Sequence, residues 1–218
     1  MKQYARRTFR LVFGLFVLAL GSFLTIQANI GLAPWEAFSM GLSYATGLSF
    51  GKIVVLSGFV ILIIDFLLKE KIGFGTIINT LLIGNFVDLI ASFNIIPKMT
   101  AWVPGLIMLL IGQFIICIGS YYYISAALGC GPRDALMVAM GKRLPKVPIG
   151  AIRGVLEGSV LLIGWLLGAK IGIGTVLSVF GIGFLVQFTF YLFRFDVTAV
   201  HHENIADTMQ ILSKKKSK

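Results

Sequence analysis

The sequence predicts an all-α polytopic membrane protein. It would have six transmembrane helices plus two short half-helices, set out as two inverted three-helix repeats. Three observations predict this. The chain of 218 residues is 57% hydrophobic and only 13% charged, where a soluble domain carries about 25% charged residues. Its apolar residues fall in long continuous runs, not in the alternating segments of about ten residues that a transmembrane β-barrel needs. One unusual stretch is also written twice, as "GLAPWEAF" from Gly31 and "GCGPRDAL" from Gly129.

The apolar runs place spans at about 9–27, 52–68, 73–93, 103–126, 148–167 and 172–193. Between the first and second spans, 34–45 forms a short segment, and 132–144 does the same between the fourth and fifth. Crossing a bilayer takes about 20 residues, so these two segments are half-helices. The opening 28 residues resemble a signal peptide, with a basic start, an apolar centre and small residues after it. Their repeat partner in 103–126 argues that they are a retained helix.

The repeat runs through both halves. Gly14 and Gly21 pair with Gly112 and Gly119, Pro34 with Pro132, and Glu36 with Asp134. After one inserted residue, Gly51 pairs with Gly150, "GFGT" from Gly73 with "GIGT" from Gly172, and Gly84 with Gly183. The halves are 1–98 and 99–195, followed by a basic cytoplasmic tail, 196–218. Three crossings per half is an odd number, so the second half would insert upside down, as in many transporters. With both termini in the cytoplasm of a bacterial inner membrane, all of the 19 basic residues except Lys52, Lys98 and Lys170 face inward. The net charge of +10 then reports topology, and nucleic acid is not expected as a partner. Trp35 and Trp102 would mark the outer interface, and Tyr121 to Tyr123 the inner one.

Pro suits the first turn of a helix, and an acid two residues later complements the helix dipole. "APWEAF" and "GPRDAL" therefore restart helices after a break. Inside a membrane such starts can hold an anionic group. Trp35, Glu36, Arg133 and Asp134 are the candidate binding residues there, with Glu36 and Asp134 as alternative cation or proton sites.

In the fifth span, Gly150, Gly154, Gly158, Gly164 and Gly168 fall in one sector of about 120° at helical spacing. Such a ridge invites close helix packing and permits a homo-dimer. Arg153 and Glu157 lie in or beside that sector, are able to pair at i, i+4, and are expected to point into the protein. Their counterparts in the first half are Val54 and Gly58, so the scaffold does not require charge at this level. Thr76, Thr80, Gly84 and Asp88 make a polar stripe on the third span, with small-residue packing the favoured reading and Asp88 a further binding candidate. Asp65, near an inner helix end, is expected to face water.

Chemistry by classical motifs is missing. There is no HExxH, GxSxG, P-loop or GxGxxG, and Cys117 and Cys130 form neither a disulfide framework nor a thiolate metal site. No metal, cofactor or enzyme activity is expected. The tail's Ile205, Met209 and Leu212 suit a short surface helix, Lys214 to Lys218 suit anionic lipid, and His201 and His202 are expected to be solvated.

Taken together, "GLAPWEAFSMGLSYATGLSFGK", the two Gly-rich turns, and "LGCGPRDALMVAMGKRL" with "PIGAIRGVLEGSVLLIGWLLGAKIGIGT" resemble the YczE-like family of bacterial integral membrane proteins, in the style of the YitT group. The resemblance covers about residues 9–193. It implies an inner-membrane protein and implies no reaction or site residue. The residues themselves favour a small-solute transporter or channel for an anionic or zwitterionic solute, with its site between the halves. A non-transporting accessory protein that docks a partner through the glycine ridge is the alternative.

Overall fold

The computed structural model describes residues 2–200 and 202–208, and no strand occurs among them. Six helices are long and apolar enough to cross a membrane: α1 (Lys2–Ala28), α3 (Phe50–Leu67), α4 (Phe74–Ser92), α5 (Trp102–Ser125), α7 (Ile149–Leu166) and α8 (Ile173–Leu192). Their outer faces carry large exposed apolar side chains such as Phe59, Ile63, Phe180 and Phe184, as suits contact with lipid. The two short helices, α2 (Pro34–Thr46) and α6 (Pro132–Arg143), start at the prolines. Local chemistry sets the breaks around them. Asn29 and Ala127 both turn the chain at φ 57° just after α1 and α5, and Gly47 ends α2 in the left-handed region at φ 72°.

The centre of the molecule is the crossing of α1 and α5. A Cβ on Gly14 would lie 2.6 Å from Tyr123 N, and one on Gly21 2.7 Å from Gly112 O. Backbone therefore rests on backbone, as small residues allow in membranes. Around this pair, α2 packs on α7 and α6 packs on α3. The entry to each short helix is also tied to the opposite half: Gly75 N donates to Leu128 O at 2.6 Å, and Gly174 N donates to Ile30 O at 2.9 Å.

One seam differs between the halves. On α3 and α4, Gly51 and Gly84 touch so closely that a Cβ on either would collide with the other's carbonyl oxygen. At the matching Gly150 and Gly183, an added Cβ meets nothing within 4 Å, and α7 and α8 do not pack in this way. The expected glycine ridge on α7 is thus only partly used. Gly164 lies on Ala37 of α2, while Gly150, Gly154 and Gly158 are open. At the covered end α2 lies against α7 directly, and a Cβ on Gly41 would be 2.7 Å from Gly164 O.

Two further expectations change. Asp65 does not face water but is fully buried, with no hydrogen-bond partner for either carboxyl oxygen, because α6 packs over α3. The tail, expected as a short surface helix with a basic end suited to anionic lipid, is tied into the bundle at its start. Arg7 donates to Ala126 O, Ala127 O and Glu203, Tyr4 Oη donates to Glu203 Oε2 at 2.9 Å, and Ile205 N donates to Ile72 O at 3.1 Å. The segment from His202 to Thr208 is a strap across the ends of α1, α4 and α5, and residues 205–208 are helical. His202 is exposed as expected, while His201, Met209, Leu212 and Lys214 to Lys218 lie outside the described residues. The Arg7–Glu203 pair is about four-fifths buried on both sides, where breaking a charged hydrogen bond costs about 1.5–3 kcal/mol. Glu203→Ala is expected to lower the melting temperature and to open residues 202–208 to limited proteolysis.

Candidate functional site

The two half-helix starts face each other across one cavity of about 340 Å³. It lies where the halves meet, with α1, α3, α4, α5, α7 and α8 all contributing to its wall. Six of the seven residues expected to bind line it: Trp35, Glu36, Arg133, Asp134, Arg153 and Glu157.

On α2, Ala33 is extended and Pro34 opens the helix, which puts Glu36 in the first turn. The Glu36 carboxylate accepts the Ser22 and Thr25 hydroxyls at 2.8 and 2.9 Å, and its other oxygen accepts Ala33 N at 3.4 Å. This helix start is therefore served by its own acid, and the open anion hole expected there is filled. On α6, Gly131 is extended and Pro132 opens the helix. The Arg133 guanidinium sits 4.6 Å from the centre of the Trp35 ring on the other half-helix, a cation–π contact worth more when water is excluded. Trp35 thus belongs to the cavity and does not anchor an outer interface, because Arg133 holds its ring inward. Asp134 opens onto the cavity, and no described side chain hydrogen-bonds or pairs with it.

Arg153 Nε donates to Glu157 Oε1 at 2.7 Å. Both line the cavity, but the Arg153 side chain is 54% exposed and Glu157 20%, so the expectation that both point into the protein holds more fully for Glu157. The open α7 face accounts for the difference.

Asp88 is the residue the structure sets apart. It accepts Gly51 N at 2.8 Å and the Ser49 hydroxyl at 2.5 Å, so it secures the start of α3 and lies outside the cavity. The Thr76–Thr80 stripe is mostly packing: Thr76 Oγ1 accepts Gly73 N, Thr80 Oγ1 donates to Thr76 O, and of the two only Thr80 reaches the cavity wall.

Several lining residues escaped the sequence reading. Tyr123 was expected at the inner interface, yet it is 5% exposed and its hydroxyl has no hydrogen-bond partner. Gln113 donates to Ser178 Oγ at 2.8 Å and joins α5 to α8 across the wall. Helical phase held the signal for Tyr123, since it shares a face with Gly119 and Gly112, four and eleven residues earlier. Both cysteines are free, and Cys117 is buried. No group of three or more His, Cys, Asp or Glu able to hold a metal occurs among the described residues.

Comparison with known proteins agrees with the membrane reading. Residues 5–190 match a family described as "Family of unknown function (DUF6198)". An uncharacterized protein of Haemophilus influenzae is 35% identical over 178 residues, covering 82% of this chain and 80% of that one. The uncharacterized membrane protein YczE of Bacillus subtilis is 32% identical over 179 residues, covering 81% of each. No solved structure is significantly similar. With the family matching across nearly the whole helical bundle, the chain belongs to this YczE-like membrane family.

Proposed function

We propose that the protein moves a small solute across a bacterial cell membrane through the central cavity. The observation that carries this is the unequal seam. Two halves with the same helix order surround one polar site, and the α3–α4 seam is closed while the α7–α8 seam is open. In transporters built from inverted repeats, exchanging the shapes of the two halves moves the opening from one side to the other. Three spans in each half would give the second half the opposite orientation and leave both termini on one side, and the distribution of basic residues favours the cytoplasmic side.

The test is solute counterflow in proteoliposomes across a panel of metabolites, beside Gly183→Leu. At least one solute should exchange, and the variant should fold yet exchange little, because leucine blocks closure of the open seam. If the panel gives no exchange, the transport reading falls.

The open stretch of Gly150, Gly154 and Gly158 favours a second reading, in which a partner helix or a second copy packs there. Gly154→Leu would then release a co-purifying membrane protein or convert a dimer to monomer on size exclusion. Arg153 and Glu157, which turn the same helix toward the polar cavity, favour transport.

A further inference from the structure

The cavity's charges bear on the solute that the transport reading requires. Its charged groups lie at the starts of α2 and α6 and on α7, with Ser22, Asn79, Gln113 and Ser178 among the polar groups elsewhere on the wall. Much of the remaining wall is apolar, with Leu18, Val54, Ile83, Ile116 and Ile182 among its residues. Three carboxylates, Glu36, Asp134 and Glu157, face two guanidiniums, Arg133 and Arg153. The set carries one net negative charge, so a lone anion is repelled, and a ligand with a positive group is favoured provided that any negative group it brings meets a guanidinium.

Two groups have unused capacity of opposite kinds. The first set lies around Gly131. A Cβ built on that glycine would be 3.3 Å from Asp134 Oδ2 and 3.6 Å from Tyr123 Oη. The carboxylate is open to the cavity, and the buried Tyr123 hydroxyl has no partner, a costly state unless something binds it. The second is Arg153, of which only Nε is engaged, by Glu157. Its terminal nitrogens are free to grip a carboxylate in a two-point contact. Arg153 and Asp134 also share a side recess of about 160 Å³.

We propose that the solute is a zwitterion with an apolar tail, of the α-amino acid type. Asp134 and Tyr123 Oη take its ammonium group, the terminal nitrogens of Arg153 take its carboxylate, and the apolar wall takes its side chain. Three matched probes test this on the detergent-purified full chain: L-leucine, 4-methylpentanoate, which lacks the amine, and 3-methylbutylamine, which lacks the carboxylate. Saturable thermal stabilisation is expected with leucine and at least about tenfold weaker binding with each of the others. Asp134→Asn and Arg153→Gln should each lose the leucine response. Tyr123→Phe, which keeps the ring and the packing, should weaken it severalfold even if the charge variants fold poorly. If either single-charge probe binds as well as leucine, the zwitterion assignment is overturned and the transport reading stands. The same holds if leucine has no effect while another solute exchanges in liposomes. If nothing binds and nothing exchanges, both fall.

Discussion

Gly84→Leu is expected to prevent accumulation of folded protein, while Gly183→Leu at the matching position accumulates normally. The two glycines occupy equivalent places in the sequence repeat and opposite physical situations. At Gly84 a Cβ would land on the backbone carbonyl of Gly51 and within 2.9 Å of the Val55 side chain. Backbone cannot swing aside as a flexible side chain can, so α3 and α4 would have to separate. Overpacking usually costs about 1–3 kcal/mol, and more where backbone must move. Separation would also strain the cap of α3, because Asp88 on α4 holds Gly51 N and Ser49. At Gly183 there is nothing to displace. Fluorescence-detected size exclusion and melting temperature would read the contrast. Equal loss at both positions would mean that the α7–α8 seam is closed in the folded protein, and the proposed asymmetry would fail with it.

Glu36→Ala is expected to be the most damaging change inside the cavity. The substitution removes the acceptor for the Ser22 and Thr25 hydroxyls and for Ala33 N, and it takes a negative charge from beside Arg133. Leaving those donors without their charged acceptor costs about 1.5–3 kcal/mol. Glu36→Gln keeps an acceptor oxygen and should lose less. The ranking wild type, then Gln, then Ala in melting temperature checks the assignment. If the Ala variant is as stable as the Gln variant, Glu36 is not the organising group of the α2 start.

The helical frame was legible because long apolar runs have one solution in lipid. Expected spans such as 103–126 meet α5 (Trp102–Ser125), and the half-helix 34–45 meets α2 (Pro34–Thr46). Pro34 and Pro132 marked their helix starts because proline lacks the N–H that a first turn does not use. The gathering of Glu36, Arg133, Asp134, Arg153 and Glu157 was also legible, since the repeat pairs the two starts and helical phase carries the α7 charges to one side. Partners distant in sequence were not. Periodicity gives the face of a helix and says nothing of what covers it. Asp88 looked like a binding residue on a polar stripe, and its real partners sit 37 and 39 residues earlier. Asp65 looked solvated at a helix end until α6 closed over it. The glycines of α7 share one sector, yet only Gly164 finds a neighbour, on Ala37 of α2. Three consecutive tyrosines read as an interface girdle, although their helical phase sends only Tyr123 inward.

The strap that joins Arg7 to Glu203 also sets an order of assembly. Arg7 leaves the ribosome 196 residues ahead of its partner. At roughly 5–20 residues per second, that interval is roughly 10–40 s. Throughout it, the carbonyls of Ala126 and Ala127 can be reached by Arg7 as soon as α5 is made, but the guanidinium has no carboxylate to neutralise it. The Arg7 end of the α1–α5 pair is therefore sealed only after all six spans have been made, so the contact that closes the bundle is also a mark that its synthesis has passed Glu203.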